Sequence, residues 1–453
     1  MRTSVRSATV GLAAVLVLAA CTGGGDGGTA RSSTTTSEVA LACPDGSRPD
    51  AAPPALPPPT ATEAAAAPTS APRDGVLDIG VLLPRSGDLA FLAAAPAAAA
   101  ASAAEDIAAA GGVLGSPVVL HPGDSAPEVA GRVEAEVDRL LAAGVDVIVG
   151  PITSGATARV LERVRAAGAL LISPGSTATG LDQLDTGGRL FRTAPTDDVQ
   201  GQALAELALD HGARTASLAV RADEYGRTIA EGFARRFALD GGEVVSRATY
   251  DPATEDLAGT VVPQLDTTAD ALVVVGLAES ARILDALVAA GEAPAQRRVY
   301  GTDGNLGDRL GDLVDERATL ACFGGLLPAA TPDDAFASRL REAAPELDGT
   351  VLDLAAEAYD AVVLAAVAAE AAGTDDASAI AAELRGASRG GQPCRDPEAC
   401  LALAAAGGDL AYVGASGPTA LDADGNRTVA RLTAVAFDRD GRLRRLGDRT
   451  VER

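Results

Sequence analysis

Short apolar segments alternate with longer segments of helical periodicity between residues 77 and 194. The apolar segments are rich in Val, Leu and Ile, as is typical of parallel strands buried on both faces. They span Leu77–Leu83, Val118–Leu120, Val145–Val149 and Leu170–Ile172. Amphipathic or alanine-rich stretches separate them, so the pattern predicts successive β–α units and a doubly wound, mostly parallel α/β sheet.

The same alternation begins again near residue 195 and predicts a second sheet of the same kind. Its expected strands are Thr215–Val220, Val244–Val245, Leu272–Val275 and Val299–Tyr300. Its expected helices are Gln200–His211, Thr228–Leu239 and Glu279–Ala290. Three further helices are predicted near 333–343, 351–372 and 377–386, and the pattern becomes hairpin-like from Tyr412 onward.

Two neighbouring strands of the first half end in loops of small hydroxyl residues. Val145–Val149 leads into Thr153, Ser154 and Gly155, and Leu170–Ile172 leads into residues 173–177, Ser-Pro-Gly-Ser-Thr. The carboxyl ends of parallel strands meet at one edge of a sheet, where helix N-termini offer free N–H groups. The two loops together therefore favour a site for a small anion such as a carboxylate. The alternative is that Thr153, Ser154 and Ser176 only cap helices.

The N-terminal segment has the pattern of an export signal. Arg2 and Arg6 precede an apolar run, Ala8–Ala20, that is too short to span a membrane. Leu18–Cys21 resembles the bacterial lipobox, which implies cleavage before Cys21 and lipidation of its thiol. An ordinary cleavage site is the alternative. We expect a signal peptide over residues 1–20 and a lipid-anchored, disordered tether over residues 21–75, which are rich in Gly, Ser, Thr, Ala and Pro.

The chain is strongly acidic, with 62 Asp and Glu against 37 basic residues and a formal net charge of −25. This excess disfavours nucleic acid and anionic membrane surfaces as partners.

Four cysteines remain besides Cys21, and an even number in an exported chain favours disulfides. Cys394 and Cys400 flank a short polar loop and are predicted to pair. Elimination would leave Cys43 with Cys322, a pairing that the sequence leaves open. A metal site is the alternative, but no His lies near either pair, so we expect no metal and no cofactor.

Several sequence blocks, taken together, resemble the Leu/Ile/Val-type (branched-chain amino acid) periplasmic binding proteins, the solute receptors of ABC importers. The blocks cover nearly the whole folded part in the order and spacing of that family. They are IGVLLPRSGDLA (79–90), AAEDIAAAGGVLG (103–115), VDVIVGPITSGAT (145–157), LLISPGSTATG (170–180), FRTAPTDDVQGQALA (191–205), DEYGRTIAEGF (223–233), AAEAYDAVVLAA (355–366) and LAYVGASGPTALDADGN (410–426).

The resemblance implies a periplasmic-binding-protein type I fold, in which two α/β lobes joined by three hinge crossovers close on a solute. Lobe I would comprise residues 76–194 plus 328–408, and lobe II residues 195–327 plus 409–453. It also implies an extracytoplasmic lipoprotein, anchored to the cell membrane, that delivers a small amino acid or related carboxylate to an ABC permease. We further expect a monomer.

The resemblance also assigns roles to individual residues. In amino-acid-binding members, the hydroxyl loops of the first lobe hold the α-carboxylate of the ligand, and the matching loops here contain Ser154, Gly175, Ser176 and Thr177. An acid of the second lobe holds the α-ammonium group, and its match is Asp303. A tyrosine covers the ligand, and its match is Tyr225. The alternatives are a turn-forming role for Asp303 and a packing role for Tyr225.

The expected solute pocket departs from the family pattern at several positions. Gly276-Leu277-Ala278 stands where many members have a tyrosine, so Leu277 would line the pocket there. Asp303 stands where Glu is usual, one methylene shorter. Phe91-Leu92 takes the place of an aromatic residue after the first strand. These departures leave the identity of the solute open, since family members with the same carboxylate- and ammonium-binding residues also bind amides and aromatic acids.

Other functions have weaker support in the sequence. His121 and His211 are the only histidines, and no G-x-S-x-G nucleophile motif is present, so we expect no enzyme. Asp422–Asn426 resembles a calcium loop without the distal Glu, and a hairpin turn is the favoured interpretation. A sensor of the same fold that signals to a membrane or cell-wall partner is the alternative to transport.

Overall fold

The structure is a computed structural model that describes residues 74–452, except 88, 127–128, 329–332 and 349–351. The predicted signal peptide, Cys21 and Cys43 lie outside the described residues. No helix in the described part of the chain is long and apolar enough to cross a membrane.

The first lobe contains a five-stranded sheet in which every neighbouring pair is parallel. Its strands, in the spatial order β2-β1-β3-β4-β5, are β1 (Asp78–Leu83), β2 (Val119–Asp124), β3 (Val147–Val149), β4 (Leu170–Ser173) and β5 (Leu190–Arg192). The connecting helices are α1 (Ala94–Ala109), α2 (Arg132–Ala142) and α3 (Ser154–Ala167). The sheet confirms the doubly wound fold class, but the sequence pattern did not predict β5.

Alternate residues of the central strands pack on opposite faces of this sheet. Val81 and Val149 belong to the core beneath α1, whereas Leu82 and Ile148 belong to the core beneath α2 and α3. Strands buried on both faces need apolar residues at every position, which is why the sequence shows them as continuous apolar runs.

The second lobe contains a seven-stranded sheet that combines five parallel strands with an antiparallel hairpin. Its strands, in the spatial order β15-β14-β10-β9-β8-β6-β7, are β6 (Thr215–Arg221), β7 (Glu243–Tyr250), β8 (Ala271–Val275), β9 (Arg298–Gly301), β10 (Gly324–Leu327), β14 (Val429–Phe437) and β15 (Leu443–Glu452). Its helices are α4 (Asp197–Asp210), α5 (Glu224–Leu239), α6 (Leu257–Val261) and α7 (Ser280–Ala289). The C-terminal hairpin was predicted, whereas β10 was not.

The intervening residues return to the first lobe and complete its core. These elements are α8 (Asp334–Ala343), α9 (Ala355–Ala372), α10 (Ala377–Ser388), α11 (Pro397–Ala405) and the small sheet of β11 (Gln392–Cys394), β12 (Leu410–Gly414) and β13 (Gly417–Pro418). The chain therefore passes between the lobes three times, which confirms the predicted crossovers. The third crossing follows β13 rather than residue 408, because Leu410, Tyr412 and Leu421 pack in the core of lobe I.

The predicted disulfide joins Cys394 in β11 to Cys400 in α11. The residues between them, expected as a loop, instead begin a helix, because Asp396 accepts the N–H of Glu398 and Pro397 occupies the first turn. Asp422–Asn426 forms a turn closed by a bridge between Leu421 and Arg427.

Two buried arginines tie the first crossover to the third. Arg192 Nε donates to Asn426 Oδ1 at 2.7 Å, and Arg427 Nη1 donates to the Thr193 carbonyl at 2.9 Å. Arg192 Nη1 also donates to the carbonyl of Ala178, at 2.7 Å. Buried guanidinium groups are costly unless their N–H groups are satisfied, so these bonds fix the two crossovers to each other.

Candidate functional site

Ser154 lies at the first position of α3, directly after the strand β3. Its hydroxyl accepts the N–H of Ala178 at 3.1 Å, so the α3 loop is bonded to the loop that follows β4. The hydroxyl hydrogen of Ser154 is then left for another acceptor. Thr153, the N-cap residue, makes no side-chain capping bond, which argues against a purely capping role for this loop.

Ser176 lies in the second loop but its hydroxyl faces away from the solvent. It is fully buried, lies 2.7 Å from Thr157 Oγ1, and donates to the Pro151 carbonyl at 3.3 Å. The expectation that Ser176 binds a solute stays a prediction, and the structure shows its hydroxyl bonded within lobe I. Ser176 instead fixes the loop that carries its neighbours.

Gly175 and Thr177 flank Ser176 and are both half-buried. A Cβ at Gly175 would lie 2.8 Å from Ile152 Cγ2 and 3.1 Å from the Ile152 carbonyl, so only glycine fits there without displacement. The Thr177 carbonyl accepts the N–H of Asp197 at 2.8 Å. The second loop therefore contacts the chain where it enters lobe II.

On lobe II, Tyr225 and Asp303 come together although they are far apart in sequence. Tyr225 is in the first turn of α5, and Asp303 follows β9 in a short turn closed by Thr302 and Asn305. Tyr225 Oη lies 2.8 Å from both Asp303 Oδ1 and Thr302 Oγ1, and it accepts the N–H of Gly304 at 3.1 Å. Since a carboxylate only accepts, the tyrosine hydroxyl donates to Asp303.

Leu277 lies beside this pair, in the loop after β8. A Cβ on Gly304 would collide with the Leu277 side chain, which is 38% exposed. The expected apolar pocket residue is thus in contact with the Asp303 turn.

Burial is the main influence on the charges of this region. It raises the pKa of the Asp303 carboxyl, while bonds from Tyr225 and Gln200 oppose the rise. Burial, and next the negative charge of Asp303, raise the pKa of Tyr225 well above its usual value. The tyrosine therefore stays protonated and remains a donor.

Asp197 is a further acid of this region that no sequence pattern indicated. It is the first residue of α4 and is 1% exposed, and the side chain of Thr177 in lobe I is the hydrogen-bonding group that opposes the effect of its burial. Burial, and next the charge of Asp303, hold the pKa of Asp197 well above its usual range. In sequence, Thr196-Asp197-Asp198 before an apolar segment reads as an ordinary helix start.

The two lobes also meet beside these residues. Thr179 Oγ1 of lobe I lies 3.3 Å from Thr228 Oγ1 of lobe II, and a Cβ at Gly180 would lie 2.5 Å from Glu224 Oε1. The loop that follows β4 therefore lies against α5 and the start of α4 in lobe II.

Both histidines have partners within one lobe. His121 Nε2 lies 2.5 Å from Asp78 Oδ1, and His211 Nδ1 lies 2.8 Å from Tyr300 Oη. No group of three or more His, Cys, Asp or Glu side chains in the described ranges is placed to hold a metal ion.

Two parallel α/β lobes joined by three crossovers, with polar residues of both at their contact, define a two-lobed solute-binding protein. A family model described as periplasmic binding protein matches residues 76–442. The chain belongs to the periplasmic binding protein family, which confirms the resemblance drawn from the sequence, and it has the substrate-binding role of that family.

One relative and two solved structures illustrate this similarity. The chemotactic signal transduction system substrate-binding protein BasB of Halobacterium salinarum is 30% identical over 363 residues, covering 76% of this chain and 83% of that protein. The branched-chain amino acid transporter substrate-binding protein LivJ of Streptococcus pneumoniae, solved with isoleucine, is 24% identical with a TM-score of 0.65, covering 83% and 100% of the two chains. A solute-binding protein of an ABC transporter from Rhodopseudomonas palustris HaA2, solved with p-hydroxybenzoic acid, is 17% identical with a TM-score of 0.65, covering 83% and 98%.

Proposed function

We propose that this chain is an extracytoplasmic receptor that closes its lobes on a small amino acid or related carboxylate. Ser154, Gly175 and Thr177 of lobe I would bind the carboxylate of the solute, and Asp303 of lobe II would bind its ammonium group. Tyr225 would orient Asp303 and cover the solute. The observation that carries this proposal is the 2.8 Å bond from Asp197 N–H to the Thr177 carbonyl, because it brings the loop of lobe I to the acidic region of lobe II.

The polar groups of the two lobes fit a solute with a negative charge at one end and a positive charge at the other. Lobe I offers the Ser154 hydroxyl at the N-terminus of α3, where the helix dipole favours an anion. Lobe II offers carboxylates and the amide oxygen of Gln200, which is buried without a partner among the described residues. A zwitterion would place its carboxylate against lobe I and its ammonium group against lobe II.

Neighbouring proteins support a carboxylate as the common feature of the solute. The Streptococcus pneumoniae structure contains isoleucine and the Rhodopseudomonas palustris structure contains p-hydroxybenzoic acid. Both ligands carry a carboxylate, while only isoleucine carries an ammonium group. The loops of lobe I would then serve the shared part of the ligand.

The remaining steps of the proposal concern export and delivery. Residues 1–20 would be removed, Cys21 would carry the lipid, and residues 21–75 would tether the two lobes to the cell membrane, where an ABC permease would receive the solute. Mass spectrometry of the mature protein tests the anchor. An unmodified Cys21 would remove the membrane tether from the proposal.

A second candidate function is sensing, with the same solute presented to a signalling partner. The observation that favours it is the similarity to BasB, whose name places it in a chemotactic signal transduction system. Deletion of the gene separates the two functions. Loss of solute uptake supports transport, whereas normal uptake with a lost cellular response supports sensing.

A binding experiment with matched variants tests the residue assignment. Ser154→Ala and Asp303→Ala should each weaken the binding of the tightest ligand found in a thermal-shift screen by about tenfold to a hundredfold, since each removes a bond to a charged group. Ser378→Ala, which changes an exposed serine of α10, and Asp240→Ala, which changes an exposed acid paired with Arg236, should leave the affinity unchanged. Unchanged affinity in both site variants would contradict the assignment.

A further inference from the structure

Cys322 lies in the turn before β10 and is disulfide-bonded. The other cysteines in the described part of the chain are Cys394 and Cys400, and these two are bonded to each other. Because a disulfide joins two sulfur atoms, the bond of Cys322 leads to a cysteine outside the described ranges. The sequence offers Cys21 and Cys43, both in the segment that precedes β1.

The backbone around Cys322 is held firmly by lobe II. The Cys322 N–H donates to the Phe437 carbonyl at 3.0 Å, and the Phe437 N–H donates to the Phe323 carbonyl at 2.9 Å. The rings of Phe323 and Phe437 are buried and stacked, with their centroids 6.2 Å apart. Cys322 itself is only half-buried. Its sulfur can therefore be reached from the surface of lobe II without a change in the core.

This position lies at the edge of the lobe II sheet that is opposite to the proposed solute site. Strand β10 runs parallel to β9, with Gly324 paired to Tyr300. Asp303 follows the carboxyl end of β9, whereas Cys322 precedes the amino end of β10. A segment attached at Cys322 therefore meets lobe II at a distance from Asp303 and does not obstruct it.

Cys43 fits this bond better than Cys21. Cys21 is expected to carry lipid on its sulfur, and a lipidated sulfur has no thiol with which to form a disulfide. Cys43 is followed by Pro44-Asp45-Gly46, a sequence typical of a tight turn. About 30 residues separate Cys43 from β1, and they would reach about 100 Å when extended, which exceeds the diameter of one lobe.

We propose that Cys43 and Cys322 form a disulfide that attaches the N-terminal segment to lobe II. The segment enters lobe I at β1, so the disulfide gives it a second attachment, on the other lobe. The consequence for the membrane rests on the proposed lipidation of Cys21. From Cys21, about 22 residues lead to Cys43 and about 55 to lobe I, which as flexible coils span about 25 Å and about 40 Å. Lobe II is then the lobe held closer to the membrane.

Formation of the bond is an oxidation that follows export. The two thiols lose two protons and two electrons as the S–S bond forms, and a disulfide of an extracytoplasmic thiol oxidase takes them up and becomes two thiols. The cytosol keeps thiols reduced, whereas exported proteins meet such oxidants. The attachment to lobe II therefore forms only outside the cytoplasm.

Peptide mapping of the mature protein, purified without reductant and with its free thiols alkylated, identifies the bond. Trypsin cleaves after arginine, so Cys43 falls in a peptide that begins at Ser32, and Cys322 falls in the peptide 318–339. The two peptides should appear as one linked species whose mass is lower than their sum by two hydrogen atoms. A reductant should separate them.

The disulfide of lobe I serves as the internal control for the mapping. Cys394 lies in the tryptic peptide 390–395 and Cys400 in the peptide 396–427, so their bond also joins two peptides. This pair should be found linked in the same digest, which shows that the preparation has kept its disulfides.

A cleavage experiment tests the attachment directly. A recognition sequence for a site-specific protease, inserted between Ala66 and Ala67, allows the chain to be cut between Cys43 and β1. After cleavage, the N-terminal fragment should stay with the two lobes on a denaturing gel without reductant and separate when dithiothreitol is added. The same protein with Cys43→Ser should lose the fragment without reductant. The double variant Cys394→Ser and Cys400→Ser, a matched control, should retain it until the reductant is added.

Three outcomes would overturn the inference. They are alkylation of the Cys322 thiol before reduction, a bond between the Cys322 residues of two chains, and release of the cleaved fragment from the wild-type sequence without reductant. A bond between Cys322 and Cys21 would overturn it as well and would remove the proposed lipid anchor. Solute binding is measured separately, so its failure would leave the result of the mapping intact.

Discussion

Asp360 and Asp197 are both fully buried acids, yet their surroundings differ completely. Asp360 lies in α9 near the third crossover and accepts from the Tyr412 hydroxyl at 2.9 Å and from the N–H groups of Ala415 and Ser416 at 2.8 and 2.9 Å. The Ser416 hydroxyl donates to it as well. At Asp197, the side chain of Thr177 is the hydrogen-bonding group that opposes the effect of burial.

Burial alone does not indicate the role of an acid. Burial raises the pKa of both carboxyl groups, so the direction of the shift is the same. The number of donors separates them. Two backbone N–H groups and two hydroxyls compensate the carboxylate of Asp360, whereas the Thr177 side chain and the charge of Arg192 oppose the burial of Asp197.

Asp146 lies between these extremes. Its residue is 3% exposed and its Oδ2 accepts one bond, from the Asp78 N–H at 3.0 Å. Burial raises its pKa to about 7, and the charges of Asp375, Asp78 and Asp74 add to the rise. Asp146 and Asp197 are thus compensated by fewer donors than Asp360.

The largest expected effect is on stability, from the same substitution at Asp360 and at Asp197. Asp360→Asn places an amide NH₂ against donors that require an acceptor, so it should lower the free energy of unfolding by about 3 kcal/mol or more. Asp197→Asn removes a buried carboxyl with few donors and should leave stability equal or higher at neutral pH. Urea denaturation measures both. Equal losses in the two variants would show that the number of donors does not separate the two acids.

An intermediate effect is expected at Asp146, as a dependence of stability on pH. The folded pKa is about 7 and the ordinary value is 3.8, so the folded state binds the proton more tightly than the unfolded state. Stability should therefore be fully present below the ordinary value and fall as the pH rises through about 7. Asp146→Asn should remove about 2 kcal/mol of the loss that the wild type shows between about pH 5 and about pH 8.

The control for this prediction is Asp138→Asn, an exposed acid paired with Arg163 at 3.0 Å. It should leave the pH dependence of unfolding unchanged, since the pair is exposed to solvent and contributes little. A wild-type protein whose stability stays constant over that pH range would contradict the raised pKa of Asp146.

Most of the fold was predictable from the sequence because its central strands are buried on both faces. Strands such as β8, Ala271–Val275, consist of apolar residues throughout, and the helices between them keep their period. Strands β5 and β10 were missed because Leu190–Arg192 is short and contains a buried arginine, and Gly324–Leu327 begins with two glycines. The apolar signal is weak at both, and each pairs in the sheet because of tertiary contacts.

The site was less predictable, because the decisive property is the direction of a side chain. Ser154 and Ser176 look alike in sequence, yet the hydroxyl of Ser154 bonds across two loops and that of Ser176 is buried against Thr157. Asp197 and Asp198 are adjacent and identical, yet only Asp197 is enclosed near Asp303. The environment of Asp197 depends on Asp303, about a hundred positions further along the chain, which no local pattern encodes.

The smallest effect is expected at Tyr225, whose hydroxyl donates to Asp303. Tyr225→Phe removes one bond to a buried carboxylate, so the affinity for an amine-bearing solute should fall about fivefold, or about 1 kcal/mol.

The Tyr225 bond lowers the pKa of Asp303 against the effect of burial, so its loss should raise that pKa further. Since an ammonium group binds the ionised carboxylate, affinity falls as the pH drops through the pKa of Asp303. The acidic limb of the pH–affinity profile should accordingly move to higher pH in Tyr225→Phe, while Tyr250→Phe, which lacks its hydroxyl at the Val275 carbonyl instead, should leave it in place. A profile for Tyr225→Phe that coincides with the wild type would mean that Asp303 does not bind the amine.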